Sequence, residues 1–243
     1  VLTVFFAFRF ILFLTETDRI NFNEVNFLTI VQAFIMGVRF DIVISGYILF
    51  IPALLLFTLD IFNKSSAVIQ KILFYWIFIL FSLSFAIAAA DIPYFNHFYS
   101  RFSIGAFEWI ENIGFVLPMI YQEPKYFLII FPLIGFIGFF FIFLKKIFKT
   151  KNSSNRPNIY LNIFLSILVL SLIFLGIRGR VQKKSPIRIG TAYFSDNSFL
   201  NKLGLNPVFT LMRSYIDSKD SKNKVLNMMD NQIAIQKVQH YLN

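Results

Sequence analysis

The sequence predicts an all-α membrane protein with five transmembrane helices, the first of them cut short, together with interfacial helices and a helical extracytoplasmic connector. Three observations carry that prediction. First, 57% of the 243 residues are hydrophobic, 15% are charged and the mean hydropathy is +0.66, whereas an average soluble domain is about 25% charged. Second, a domain of this size still exposes roughly a quarter to a third of its unfolded-chain surface, so a single water-facing core cannot hide that much apolar area, and lipid must cover part of it. Third, uninterrupted apolar runs of spanning length recur along the chain. The 34 Phe weigh less, because an AT-rich genome also favours Phe, Ile, Lys and Asn. Their concentration in the apolar runs reads as a lipid-facing surface rather than a core.

Residues 1–14 are apolar but fewer than the ~20 that a span needs. They lack the basic start and small-residue cleavage site of a signal peptide, so the sequence reads as beginning partway through a first span. Four further runs follow at 42–62, 69–90, 126–144 and 159–177, each long enough at about 1.5 Å per residue to cross a hydrocarbon layer of ~30 Å. Pro52 and Pro132 fall inside runs and predict kinks rather than ends. Two apolar segments between the runs are too short to span: 25–38 (VNFLTIVQAFIMGV) and 104–121 (IGAFEWIENIGFVLPMIY). They read as interfacial or re-entrant helices, with Trp109 and Tyr121 suited to the headgroup layer, and buried core helices are the alternative.

After residue 177 the chain changes character. Segment 198–216 (SFLNKLGLNPVFTLMRSYI) spaces its apolar residues helically but is broken by Asn206 and Pro207, predicting two short amphipathic helices on or near the membrane. A charged linker at 217–224 leads to a weakly amphipathic helix at 225–242. The division is therefore a transmembrane domain, 1–177, and a juxtamembrane connector, 178–243. The connector is too short and polar for a catalytic core and reads as leading to something beyond this sequence.

Charge sets the orientation. The net charge is +10, with 7 basic and 9 acidic residues in 1–144 against 16 basic and 4 acidic in 145–243. The basic residues crowd against apolar runs, which favours anionic lipid headgroups over nucleic acid as partner. Loop 145–156 has five basic residues and no acid, marking it as cytoplasmic, and the turn at 63–71 lies on the same side. The acid-balanced loops 15–41 and 91–125 are then external, and so is the tail. Arg178, Arg180, Lys183, Lys184 and Arg188 sit on that external side against the usual rule, and the alternation of four loops outweighs this one flank.

Motifs for chemistry are sparse. There is no Cys, and His97 and His240 are the two histidines, which removes disulfides, thiol nucleophiles and His-based metal clusters. Phosphate-loop, serine-elbow and zinc-helix motifs are missing. Ser45, Thr58, Asp60, Ser82, Ser84, Asn162, Ser166 and Ser171 are the polar groups in or near the spans, and they read as helix-to-helix hydrogen bonding rather than a transport path. Glu108 and Glu111 would share a helix face and read as solvated, and His97 reads as interfacial packing. Arg9 lies inside the first run, where it either snorkels or pairs with Asp41. The candidates for fixing the outer surface or attracting a lipid headgroup are Arg9, Arg39, Asp41, Asp91, Arg101, Arg178, Arg180, Asn201 and Asn206. No residue is assigned to catalysis, a cofactor or a metal.

Four segments in order, RFILF (9–13), GVRFDIVISGY (37–47), ADIPYFNHFYSRFS (90–103) and PIRIGTAYFSDNSFLNKLGLNP (186–207), resemble the membrane portion of the lipoteichoic acid synthase and phosphoglycerol transferase family. The resemblance implies five helices in the bacterial cytoplasmic membrane preceding an extracytoplasmic, sulfatase-like catalytic domain. It further implies a Thr nucleophile and a divalent metal, Mn or Mg, that move a phosphoglycerol group from a phospholipid to a glycolipid, glucan or similar acceptor. None of those catalytic positions matches a residue here. The implied partners are membrane lipids and the chain's own catalytic domain. A non-enzymatic membrane scaffold or lipid-handling protein is the alternative, and a transporter ranks third.

Overall fold

In the computed structural model, residues 1–22, 24–62, 66–107, 114, 118, 122–149, 159–180, 182–220 and 231–242 are described, and every regular element among them is helical. The principal helices are α1 (Leu2–Thr15), α2 (Phe27–Ile61), α3 (Ala67–Phe98), α4 (Phe127–Lys149), α5 (Ile159–Arg178), α6 (Ser198–Leu203), α7 (Pro207–Lys219) and α8 (Asn231–Leu242). Short 3₁₀ turns lie at Thr17–Arg19, Pro124–Tyr126 and Ile189–Ala192.

Helices α2, α3, α4 and α5 are long and apolar enough to cross a membrane. The chain is therefore a multi-pass membrane protein by the length and composition of these helices. With 14 residues, α1 is shorter than a span; it packs between α2 and α3, burying Phe5, Arg9 and Leu12. α4 lies along α3 and α5 along α2. The α2–α5 contact is close because Gly46 and Gly176 leave room for Ile177 and Ile42: a Cβ on Gly46 would stand 2.8 Å from Ile177 Cγ1. Small residues serve the same purpose wherever helices approach in lipid.

The structure revises the reading of 25–38. That segment is no separate interfacial helix but the first part of α2, which runs without a break through Arg39 and Asp41 to Ile61. The charges had suggested a loop boundary, yet both side chains have tertiary partners that let them stay on a helix. Asn26 caps the start by accepting from the Leu28 N–H at 3.2 Å. At 35 residues, α2 is about 52 Å long, well over a hydrocarbon thickness of ~30 Å.

Likewise α3 continues past residue 90 through Asp91, Pro93 and His97 to Phe98, and Tyr99 ends it in a left-handed conformation at φ 53°. Helix α4 extends to Lys149, beyond the expected end at 144. Segment 104–121 lies largely outside the described residues, and with it Glu108, Trp109, Glu111 and Tyr121; so does most of loop 145–156.

The chain after α5 folds back as the two short helices expected, α6 and α7, separated at Asn206-Pro207. They are part of the core. One apolar cluster joins Phe40, Val43, Phe81 and Phe85 of the long helices with Ile187, Ala192, Leu205 and Phe209. A second joins Leu12, Ala33, Ile92 and Phe95 with Phe199, Leu200 and Leu203.

Phe is likewise not confined to the lipid side. Phe5, Phe81, Phe85 and Phe140 form a buried aromatic chain, with Phe5 edge-on to Phe85 at 5.4 Å and Phe85 edge-on to Phe140 at 5.7 Å, while Phe131, Phe139 and Phe164 are exposed. Edge-to-face rings pack densely where α1, α3 and α4 meet.

Candidate functional site

The polar residues on which the four motifs rest converge at one end of the bundle, where the N-terminal half of α2, the C-terminal ends of α3 and α5, and the returning tail come together. Arg9 of α1 reaches Asp41 of α2 through two parallel bonds, Nη1 to Oδ2 and Nη2 to Oδ1, both 2.8 Å, and its Nε donates to the Leu203 carbonyl at 3.1 Å. Such a planar fork fits a carboxylate better than a lysine could. Gly37 makes the approach possible, since a Cβ there would overlap the Arg9 guanidinium.

A second pair lies alongside. Arg101 donates through Nη1 to Asp91 Oδ2 at 2.6 Å and through Nη2 to the Leu205 carbonyl. The other Asp91 oxygen accepts the Phe102 N–H at 2.7 Å. Asn206 connects the tail to this junction: its Nδ2 donates to Asp41 Oδ1 at 2.7 Å, while its Oδ1 accepts the Val208 and Phe209 N–H groups and so caps α7. Arg9, Asp91, Arg101 and Asn206 together line a cavity of about 10 Å³.

Asp41 and Asn206 are 0% exposed, Asp91 1%, Arg9 3% and Arg101 6%. The two arginines and two aspartates balance, and this makes their burial tolerable, because an unpaired ion at such a site would cost several kcal/mol. Burial pushes the Arg101 guanidinium below its usual range, Asp91 opposes that shift, Arg9 adds to it, and Asp41 opposes it; an arginine stays charged under all these influences.

The remaining candidates lie elsewhere. Arg39 points toward the exit of α5 and donates to the Gly179 carbonyl at 2.9 Å. Arg180 donates to Thr191 Oγ1 at 2.5 Å, and these two arginines, with Gln182, Lys184 and Thr191, line a basic groove of about 340 Å³. Arg178 turns onto its own loop, donating to the Gln182 and Lys184 carbonyls. Asn201 is local: it accepts the Phe194 and Ser195 N–H groups and donates to the Ser195 carbonyl, holding the turn before α6.

Compared with family models, curated proteins and solved structures, the chain matches none.

Several polar groups behave otherwise than expected. Ser84 and Ser166 bond carbonyls of their own helices four residues back, not a neighbouring helix. A side-chain bond between α3 and α2 comes instead from Trp76, whose Nε1 donates to the Ile48 carbonyl at 3.1 Å. His97 meets the Tyr126 hydroxyl at 2.8 Å, bridging the end of α3 to the start of α4. Sequence reasoning missed the two acceptor carbonyls, Leu203 and Leu205, because backbone groups leave no mark in composition. Among the described residues no group of three or more His, Cys, Asp or Glu is placed to hold a metal. Asp41 and Asp91 are each engaged by an arginine, so neither is open to the divalent metal that the resemblance implies.

Proposed function

We propose that this chain is the membrane domain of a bacterial phosphoglycerol transferase-like enzyme. It anchors and orients an extracytoplasmic, sulfatase-like catalytic domain whose metal and nucleophile lie outside this sequence, and it meets its lipid-derived substrate at the outer leaflet. The observation that carries this reading is the convergence of the four motif segments. Arg9 from the first, Asp41 from the second, Asp91 and Arg101 from the third and Asn206 from the fourth meet in one buried junction. Residues from all four segments are thus held in two buried ion pairs side by side, both bonded to the returning tail, which favours a fixed platform over a loose tether. The tail is held at the end of the bundle reached by the exit of α5, where a domain carried by it would be aimed at the lipid surface.

The orientation can be read with single cysteines, because the chain has none of its own. In intact cells, a membrane-impermeant maleimide is expected to label Ser185→Cys and to leave Lys145→Cys unlabelled until the cells are opened. The reverse pattern overturns the orientation. Sequencing the gene past the codon for Asn243 tests the enzyme itself. A long further domain with a Thr nucleophile and metal-binding acids is expected, whereas a stop codon there would favour the scaffold.

A further inference from the structure

We infer that the basic groove at the exit of α5 is a binding site for a phosphate group, carried by the headgroup of an anionic membrane lipid. Arg39, Arg180 and Lys184 line it together with Gln182 and Thr191, and no carboxylate is among the described lining residues. The first two cations are held in place. Arg39 is fixed by its bond to the Gly179 carbonyl and Arg180 by its bond to Thr191, so little side-chain freedom is lost when an anion enters. Charge-assisted, forked donors of this kind suit phosphate oxygens.

The backbone holds the groove open. Gly179, directly after α5, has φ +65°, and a Cβ there would stand 2.8 Å from Ile187 Cγ2 and 3.1 Å from Val43 Cγ2. Gly179 therefore turns the chain sharply enough for Ile187 to lie beneath it, with the Ile187 N–H on the Arg178 carbonyl at 3.2 Å. Arg178 clasps the outer side of the same loop.

Location selects the ligand's source. Helix α5, with 20 residues, is about 30 Å long and so spans the hydrocarbon with almost nothing to spare. Arg180, the first groove residue after α5, stands two residues beyond its end, which for a helix of this length falls among the headgroups. The groove, of about 340 Å³, has room for a phosphate with a small polar substituent. This site stands whether or not the chain belongs to a transferase, because it uses only residues of the membrane domain.

The test uses the purified chain in nanodiscs containing phosphatidylglycerol diluted into phosphatidylcholine, with bound lipid counted by native mass spectrometry. Lys184→Gln alone, and together with Arg180→Gln, is compared with Lys183→Gln, which removes the same charge one residue away from the groove. One charge lost near a lipid surface weakens attraction by about fivefold at most. A site predicts that the double variant loses about a hundredfold of phosphatidylglycerol retention, two charge-assisted contacts at about tenfold each, while Lys183→Gln stays within about fivefold. Lys184 is exposed and its side chain makes none of the loop's bonds, so the single variant keeps the comparison valid if the double variant is unstable. Equal losses at Lys183 and Lys184, or no loss in either groove variant, would overturn the proposal. Added inorganic phosphate separates the sources: displacement of the lipid at millimolar phosphate means that the phosphate group alone is recognised, and retention means that the membrane-held headgroup is required.

Discussion

Asn206 and Arg9 hold the same oxygen of Asp41, the amide nitrogen at 2.7 Å and the guanidinium Nη2 at 2.8 Å. One carboxylate thereby joins the first helix, the second helix and the returning tail. Because all three side chains are buried, the junction is sensitive to the loss of any one of them.

Asp41→Ala leaves Arg9 buried without its counter-charge, and breaking such a pair typically costs about 3–5 kcal/mol. The expected result is a large drop in thermal stability in detergent, with little folded material recovered. A double-mutant cycle with Arg9→Met should show strong coupling, the pair of substitutions costing much less than the two single losses added together. Additive losses would mean that the two side chains do not act as a unit.

Gly37→Ala is expected to resemble the loss of Arg9, since its methyl group would occupy the space of the guanidinium. Gly138→Ala is the control, as nothing lies within 4 Å of a Cβ there, and it should be neutral or stabilise by up to about 1 kcal/mol through helix propensity. Melting temperatures of the two variants in the same detergent decide the matter.

Asn206→Ala removes the α7 cap, worth about 0.5–2 kcal/mol, together with a charge-assisted bond worth about 1.5–3 kcal/mol. The effect should be local, and limited proteolysis is expected to cut residues 182–220 earlier than in the parent while the long helices stay protected. Asn201→Ala, which loosens only the turn before α6, should give a smaller change.

Gly179→Ala places a side chain in a left-handed backbone conformation, which costs about 1–2 kcal/mol, and drives it against Ile187. Reduced stability is expected, along with altered reactivity of a cysteine placed at Ser185. Unchanged labelling would show that the loop does not depend on this turn.

Much of the fold is legible in the residues themselves. The apolar runs mark α2 to α5 because spanning helices must satisfy their backbone internally and present apolar side chains over a fixed length. Asn206-Pro207 marks the break between α6 and α7, because Asn caps and Pro opens a helix. For Arg9 inside an apolar run the residues offer two outcomes, snorkelling or pairing with Asp41, and the structure shows the second. What stays hidden is tertiary. Charge at Arg39 and Asp41 reads as a loop boundary until the partners that neutralise it are known, which is why α2 is longer than its hydropathy suggests. The burial of Phe5, Phe81 and Phe85 depends on which helices are neighbours, and a local pattern cannot state that. Asp91 and Arg101 attract notice as charges near a span end, but their meeting requires the left-handed turn at Tyr99.

The sequence separation of the partners at Asp41 imposes an order on assembly. Arg9 is 32 positions away from Asp41, whereas Asn206 is 165 positions further on. At a synthesis rate of about 5–20 residues per second, that interval lasts roughly 8–33 s. Through it the Leu203 carbonyl and the Asn206 amide have yet to be made, so Arg9 and Asp41 can have only each other among these four partners. Closure of the junction by the tail is therefore a step that the order of synthesis holds back until the last span has been made.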